Sequence, residues 1–215
     1  MDKHPQHLDA YDLLNIIKRD CDSAGVKYLF PETEKIDYPG CDNMKVSGYF
    51  MDVPEPTLAC AIGKSTEKWF EVLVHESCHM DQWSENTDLW ENQYINEVDC
   101  GTQVDEWLAG KEFHEDEYMY YMRTMQALEI DCEKRSVEKI LTLGLGIDSK
   151  SYTKRANSYL FFYTVMLHTR KWCDVAPYDV PEIVELMPDC FLSVEEYNQV
   201  SDEILSIYKD KCYNK

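Results

Sequence analysis

One stretch restricts this chain more than any other: Trp69-Phe70-Glu71-Val72-Leu73-Val74-His75-Glu76-Ser77-Cys78-His79. Trp69, Phe70, Val72, Leu73 and Val74 make it apolar on several sides, so a helix here must be buried. Residues four apart share a helical face, which sets His75 beside His79. Two imidazoles and the Glu76 carboxylate are costly to bury without partners. A metal ion held by both histidines offsets that cost, at Zn–N distances of about 2.0–2.1 Å. Glu76 can then act as a general base without itself being a ligand. The competing reading is a helix with hydrogen-bonded core histidines. The chain has only six histidines, and chance gives about 0.02 HExxH motifs in such a sequence. Cys78 lies about 100° round the helix from His79 and reads as a small packing residue.

The elements around this helix follow from periodicity and punctuation. Leu13, Leu14, Ile17 and Cys21 form a helical stripe over Leu8–Ala24, ended by Gly25. Val26–Phe30, Val46–Met51 and Leu58–Ile62 read as three short strands, separated by prolines and joined closely enough to be antiparallel. Ser65 or Thr66 caps the motif helix, which runs to about Ser84. Asp88–Gly110 predicts one or two shorter helices broken at Gly101, and Glu115 to about Leu143 predicts a long one. Lys154–Trp172 is apolar nearly all round between Leu160 and Leu167, so it should be central. Pro181–Met187 begins with proline at the first helical position, and Ser193 caps a last helix to about Lys211. The fold class is α+β, with a small antiparallel sheet in the first third and a mainly helical remainder.

Composition narrows the function. The 215 residues carry a net charge of −20, which argues against a nucleic-acid backbone or an anionic membrane surface as partner. A basic partner or substrate is compatible with it. Nine cysteines, an odd number with no CxxC pair, argue against a disulfide framework and a zinc ribbon. The first residues, MDKHPQHLDAYDLL, show no basic-then-apolar leader, and no run of about 18 apolar residues occurs. The expectation is a cytoplasmic protein, not secreted, with reduced thiols.

The motif at 75–79 resembles that of the zincin metallopeptidases. That resemblance implies one catalytic Zn²⁺ held by His75 and His79, Glu76 as the base, and a third ligand downstream. His-x-x-Gly-x-x-His does not follow, so the metzincin type does not fit. A downstream Glu, as in the gluzincin type, does. Glu129 is the first candidate, because it shares an apolar helical face with Met122, Met125, Cys132 and Ile140. A carboxylate there must be paired, protonated or metal-bound. Glu133 lies four residues on and on the same side, and Asp131 should point to solvent. The pair resembles the gluzincin ExxxD arrangement, in which the first acid binds zinc and the second orients a ligand histidine. Here Glu stands in the second place, which leaves open which of the two meets the metal. Glu97 is a rival: Asn96-Glu97 resembles a thermolysin-like motif, but Gly101 stands where that family has an acid.

The chain also resembles proteins encoded by tailed phages. The shared residues are His-Glu-x-Cys-His-x-x-Gln-Trp at 75–83, Leu-Glu-x-Asp-Cys-Glu-Lys-Arg at 128–135 and Ala-Asn-x-Tyr…Arg-Lys-Trp at 156–172. That likeness implies no substrate; for a phage-encoded protein the location would be the host cytoplasm.

Other residues carry weaker signals. His168, Tyr163 and Tyr159 could stabilise an oxyanion, although a hydrogen-bonded core histidine is the plainer reading of His168. His114 reads as a surface residue at a helix start. Arg170-Lys171-Trp172 is either a small anion site or a solvated helix C-terminus. Leu58–Ile62 could be the sheet edge that pairs with an extended peptide, or an ordinary buried strand. The expectation is therefore one zincin-like domain over 1–215, with a helix and small sheet in 1–63 and the metal-bearing helical part in 64–215. Its function would be peptide hydrolysis on a peptide or protein substrate, without nucleic-acid or membrane partners. The alternative is an acidic, non-enzymatic interaction protein, such as a phage inhibitor, with a structural or vestigial zinc site. A closed fourth ligand, such as Cys or Asp, would favour that alternative.

Overall fold

The computed structural model describes residues 8–41 and 44–213. Residues 1–7, on which the reading of the N-terminus partly rests, lie outside them. Contacts divide the chain into two units, 1–87 with 135–147, and 88–134 with 148–215. The motif helix belongs to the first of these units, together with the strands that precede it.

The first unit opens with α1 (Ala10–Ala24). The Asp9 side chain caps it by accepting from the Tyr11 and Asp12 amides, and Gly25 ends it at φ 69°, a left-handed conformation that favours glycine. Leu13, Ile17 and Cys21 are its buried stripe. Five short strands follow: β1 (Lys27–Leu29), β2 (Ile36–Asp37), β3 (Lys45–Val46), β4 (Gly48–Met51) and β5 (Thr57–Cys60). The main sheet has the order β1-β5-β4, and β2 pairs with β3 as a separate ribbon.

The expected antiparallel sheet is in fact mixed. β4 and β5 are antiparallel, but β1 runs parallel to β5, with Lys27 opposite Thr57. Within this sheet, only β4 and β5 are joined by a hairpin-length link. β1 is separated from β5 by the β2–β3 excursion, so the chain returns in the same direction. The central strand β5 is buried along its whole length, which explains its unbroken apolar run.

Helix α2 (Thr66–Ser84) carries the motif and packs on β4 and β5. It buries Trp69, Phe70, Leu73, Val74, Cys78 and Met80. The contact with β4 is close. A Cβ added at Gly48 would lie 2.6 Å from Val72 Cγ1, 2.9 Å from the Ala59 carbonyl oxygen and 3.0 Å from Glu76 Cγ. Helix α5 (Glu115–Leu143) contributes its last turns to this unit. There Lys139 Nζ donates to Asp81 Oδ2 at 2.6 Å and to Ser77 Oγ at 2.9 Å, and Arg135 pairs with Glu85 at 2.8 Å. Burial works against the Lys139 charge. Cys78, Asp81 and Asp20 outweigh it, and the Lys139 pKa is raised above the ordinary lysine value.

In the second unit, α3 (Asp88–Asn92) leads into a hairpin of β6 (Tyr94–Ile95) and β7 (Val98–Asp99), and then α4 (Cys100–Leu108). The break expected at Gly101 lies instead at this hairpin. Gly101 sits in the first turn of α4, whose cap is Asp99. The central helix is α6 (Ser149–Thr169), which starts earlier than Lys154 because Asp148 caps it through the Lys150 and Ser151 amides. Leu160, Phe162, Val165 and Met166 of α6 are fully buried with Met122, Ile183, Tyr197 and Tyr208. The chain ends in α7 (Pro181–Leu186), α8 (Val194–Tyr197) and α9 (Asp202–Cys212). The single last helix expected after Ser193 is divided: Ser193 forms a capping box on α8, and Ser201 caps α9 separately. Among the described residues, no helix is long and apolar enough to cross a membrane.

The Lys139 clamp gives a pH-dependent expectation. Lys139→Met should destabilise the protein by about 1–3 kcal/mol at neutral pH, because Asp81 is left partly buried without its cation. Since the folded-state pKa is raised, that contribution is complete below the unfolded lysine value of about 10.4 and is lost as pH rises through the folded value. Denaturant unfolding of both proteins between pH 7 and 11 checks this: the gap between them should shrink only at the alkaline end.

Candidate metal centre

The α2 part of the site is built from the i, i+4 pair. The His75 and His79 rings have centroids 4.8 Å apart and are nearly perpendicular, at 87°. His75 is half-buried and His79 is 8% exposed. His79 Nδ1 lies 2.8 Å from Gln82 Oε1, and Gln82 is fully buried. With the amide oxygen facing the ring, Nδ1–H donates and Nε2 keeps its lone pair for a metal. Sequence reasoning missed Gln82 in this role. Its signal was the i+3 spacing from His79, which puts it on the same face.

Glu76 follows His75 and turns toward the sheet. It shares a face with Val72, and Gly48 of β4 makes room for both. Burial, and then the charge of Glu76, push the Cys60 thiol on β5 above its ordinary range. The acid therefore sits on the β4–β5 side of α2, about a quarter-turn from the histidine face.

Helix α5 carries the remaining donors. Glu129 and Glu133 are 8% and 6% exposed, and Cys132 is fully buried. Glu133 Oε2 accepts from the Tyr152 hydroxyl of α6 at 2.6 Å. Glu129 lies near Tyr163. Burial first, then Tyr159 and Glu129, push the Tyr163 hydroxyl well above its ordinary range. α5 is one continuous helix, so these positions share it with Arg135 and Lys139.

One donor atom each from His75, His79 and Cys132 lie within 4.8 Å of one another, and the same holds for His75, Glu129 and Glu133. Glu129 thus falls in a set with His75 and Glu133. Imidazole nitrogen, carboxylate oxygen and thiolate sulfur are all zinc donors, so the residues fit that ion. Cys132 is a second residue that sequence reasoning placed in the core and not at the site.

Among the described residues, none of the other candidate ligands falls in either donor set. Glu97 belongs to neither set. It is exposed, at φ 69° beside Asn96 at φ 50°, in the turn of the β6–β7 hairpin. Asp131 is half-buried, not turned fully to solvent. His168 is exposed in the last turn of α6, past the end of its buried run at Met166, so the core-histidine reading is overturned. Tyr159 and Tyr163 bring their hydroxyls within 3.4 Å of each other. His114 is exposed at the start of α5, where its backbone amide donates to Glu117. Arg170 is neither an anion site nor simply solvated. Its guanidinium donates to the Trp107 and Lys111 carbonyls and lies over the Trp107 ring at 5.2 Å. Leu58–Ile62 cannot be a substrate edge, because β5 is paired on both sides; β4 and β1 are the outer strands.

Comparison with known proteins adds no relative: no family model, curated protein or solved structure matches the chain.

Replacing Gln82 tests the tautomer argument. Gln82→Met should leave the helix intact but weaken zinc binding by about 10–100-fold, the usual effect of losing a group that orients a ligand histidine. Competition with a chromophoric chelator measures the affinity, and far-ultraviolet circular dichroism checks the fold.

Proposed function

We propose that this chain is a zinc-dependent hydrolase of peptide bonds, built on a zincin-like arrangement of sheet and motif helix. The observation that carries the reading is the convergence of His75 and His79 with donors of α5, beside an acid that is not among them. His75 and His79 supply two imidazole ligands, and α5 supplies the third. The sequence favours Glu129 for that place, and the set around His75 includes it. When bound, zinc acts as a Lewis acid that polarises a carbonyl oxygen and brings the pKa of water to about 7. Glu76 accepts a proton from the attacking water and gives it to the leaving amine. Gln82 holds His79 in the tautomer that can ligate. β4, the outer strand next to Glu76, offers backbone groups to an extended substrate. The charge of −20 favours a basic peptide. The same reading places the protein in a cytoplasm, that of the host if a phage encodes it.

A second reading has an observation of its own. Cys132 groups with both histidines, and a thiolate added to a carboxylate would close the coordination sphere. The zinc would then be structural, in an acidic protein that acts by binding a basic partner.

Mutation separates the two. His75→Ala and His79→Ala should each lose stoichiometric zinc, measured by mass spectrometry of the purified protein, while the apolar face of α2 keeps the fold. Glu76→Gln should retain zinc and slow hydrolysis of a basic peptide library by about 10²–10⁴-fold. A Glu76→Gln protein with full zinc and the wild-type rate would remove Glu76 as the base. Zinc-loaded wild type without any hydrolysis would favour the structural reading.

A further inference from the structure

We infer that Cys132 is the α5 metal ligand, so that the centre is His75–His79–Cys132, while Glu129 and Glu133 orient His75 from outside the coordination sphere. The inference rests on the reading that His75 and His79 hold a metal, and names its third donor.

Helix phase supports it independently of the donor distances. The residues that bind α5 to α2 are Arg135 and Lys139, bonded to Glu85 and to Ser77 and Asp81. At 100° per residue, Cys132 lies about 20° from Lys139 and about 60° from Arg135 round α5. It is therefore on the same stripe of α5 as those two residues. Glu129 and Glu133 lie about 60° and 100° to the far side of Cys132. On that side they meet α6: the Tyr152 hydroxyl donates to Glu133, and Tyr163 feels the Glu129 charge. The donor grouping follows the same division. The Cys132 sulfur groups with both histidines, and the two carboxylates group with His75.

The chemistry is consistent with this division of roles. Carboxylates that contact a ligand imidazole raise its basicity and fix its ring, the common supporting role in zinc sites. Two imidazoles and one thiolate are three protein ligands, which leaves a position open for substrate or water, as a catalytic centre requires. The centre therefore need not be closed by its cysteine. A thiolate also makes the donor set softer, favouring zinc, cobalt or cadmium over magnesium, calcium or manganese.

Cobalt substitution of the full-length, fully reduced protein tests the inference. Titration with Co²⁺ should produce visible d–d bands and, with the same stoichiometry, a near-ultraviolet thiolate-to-cobalt charge-transfer band. Cys132→Ser should lose the charge-transfer band and bind cobalt more weakly than Glu129→Gln, whose loss should stay within about 10–100-fold. Glu129→Gln, Glu133→Gln and Cys78→Ser should keep the band. If Cys132→Ser does not fold, Cys132→His serves instead, and should keep tetrahedral cobalt spectra without the thiolate band. Cobalt bound by wild type without that band, or a band that survives replacement of Cys132, overturns the inference and leaves the two-histidine reading standing. Failure of wild type to bind cobalt or zinc at all overturns both.

Discussion

Lys139 reaches from α5 to α2, where Ser77 and Asp81 accept its hydrogen bonds, and the candidate centre depends on that clamp. An ion pair with the lysine side chain 19% exposed and the aspartate 31% exposed gains little net stability over a well-packed apolar pair. What it supplies is register. Ser77 and Asp81 are each two residues from His79, and Cys132 is two turns before Lys139. A slip of one residue along α5 would rotate its donors by about 100° and take Cys132 off the line of Lys139 and Arg135. Arg135 with Glu85 adds a second point on the same line, so the pair of contacts defines direction as well as position.

Two of the polar groups buried near this line are held by partners that also select their orientation. Gln82 selects a tautomer of His79, and Tyr152 holds one oxygen of Glu133. Such contacts have modest net energy when made and cost about 1–3 kcal/mol when broken. Their value to a metal centre is rotational. A ligand ring or carboxylate that is already oriented loses less freedom when an ion arrives. The sheet serves the acid in a comparable way. Gly48 lets β4 approach α2 so closely that Glu76 is confined between strand and helix. Any side chain at position 48 would collide with Val72 and the Ala59 carbonyl, so the strand or its neighbours would have to shift.

Much of the local structure was legible in the residues. The i, i+4 histidines, the left-handed Gly25 stop, the proline start at Pro181 and the long apolar run of α6 are consequences of periods and caps within a few turns. Glu129 and Glu133 were also legible as buried acids, because a carboxylate on an apolar stripe stands out. Less legible were the features that depend on two segments distant in sequence. The short segment at 94–99 has too few residues for a period-2 signal, and its hairpin depends on Asn96 and Glu97 both adopting positive φ. The parallel pairing of β1 with β5 arises from the route of the chain between them, which no local pattern encodes.

The sequence by itself determined that a buried helix would carry two histidines on one face with an acid beside them, because helical geometry places residues i and i+4 together regardless of context. It also determined that α5 would bury carboxylates and a thiol on neighbouring faces. Only the tertiary structure decided which side of the last turns of α5 meets α2. That choice is made by Lys139, Arg135 and their partners on α2, contacts between residues some fifty to sixty positions apart. Cys132 looked like core packing in sequence, since a small apolar residue on an inward stripe is usually that and nothing more. It becomes a candidate ligand because the helix it rides on is fixed to the helix that carries the histidines.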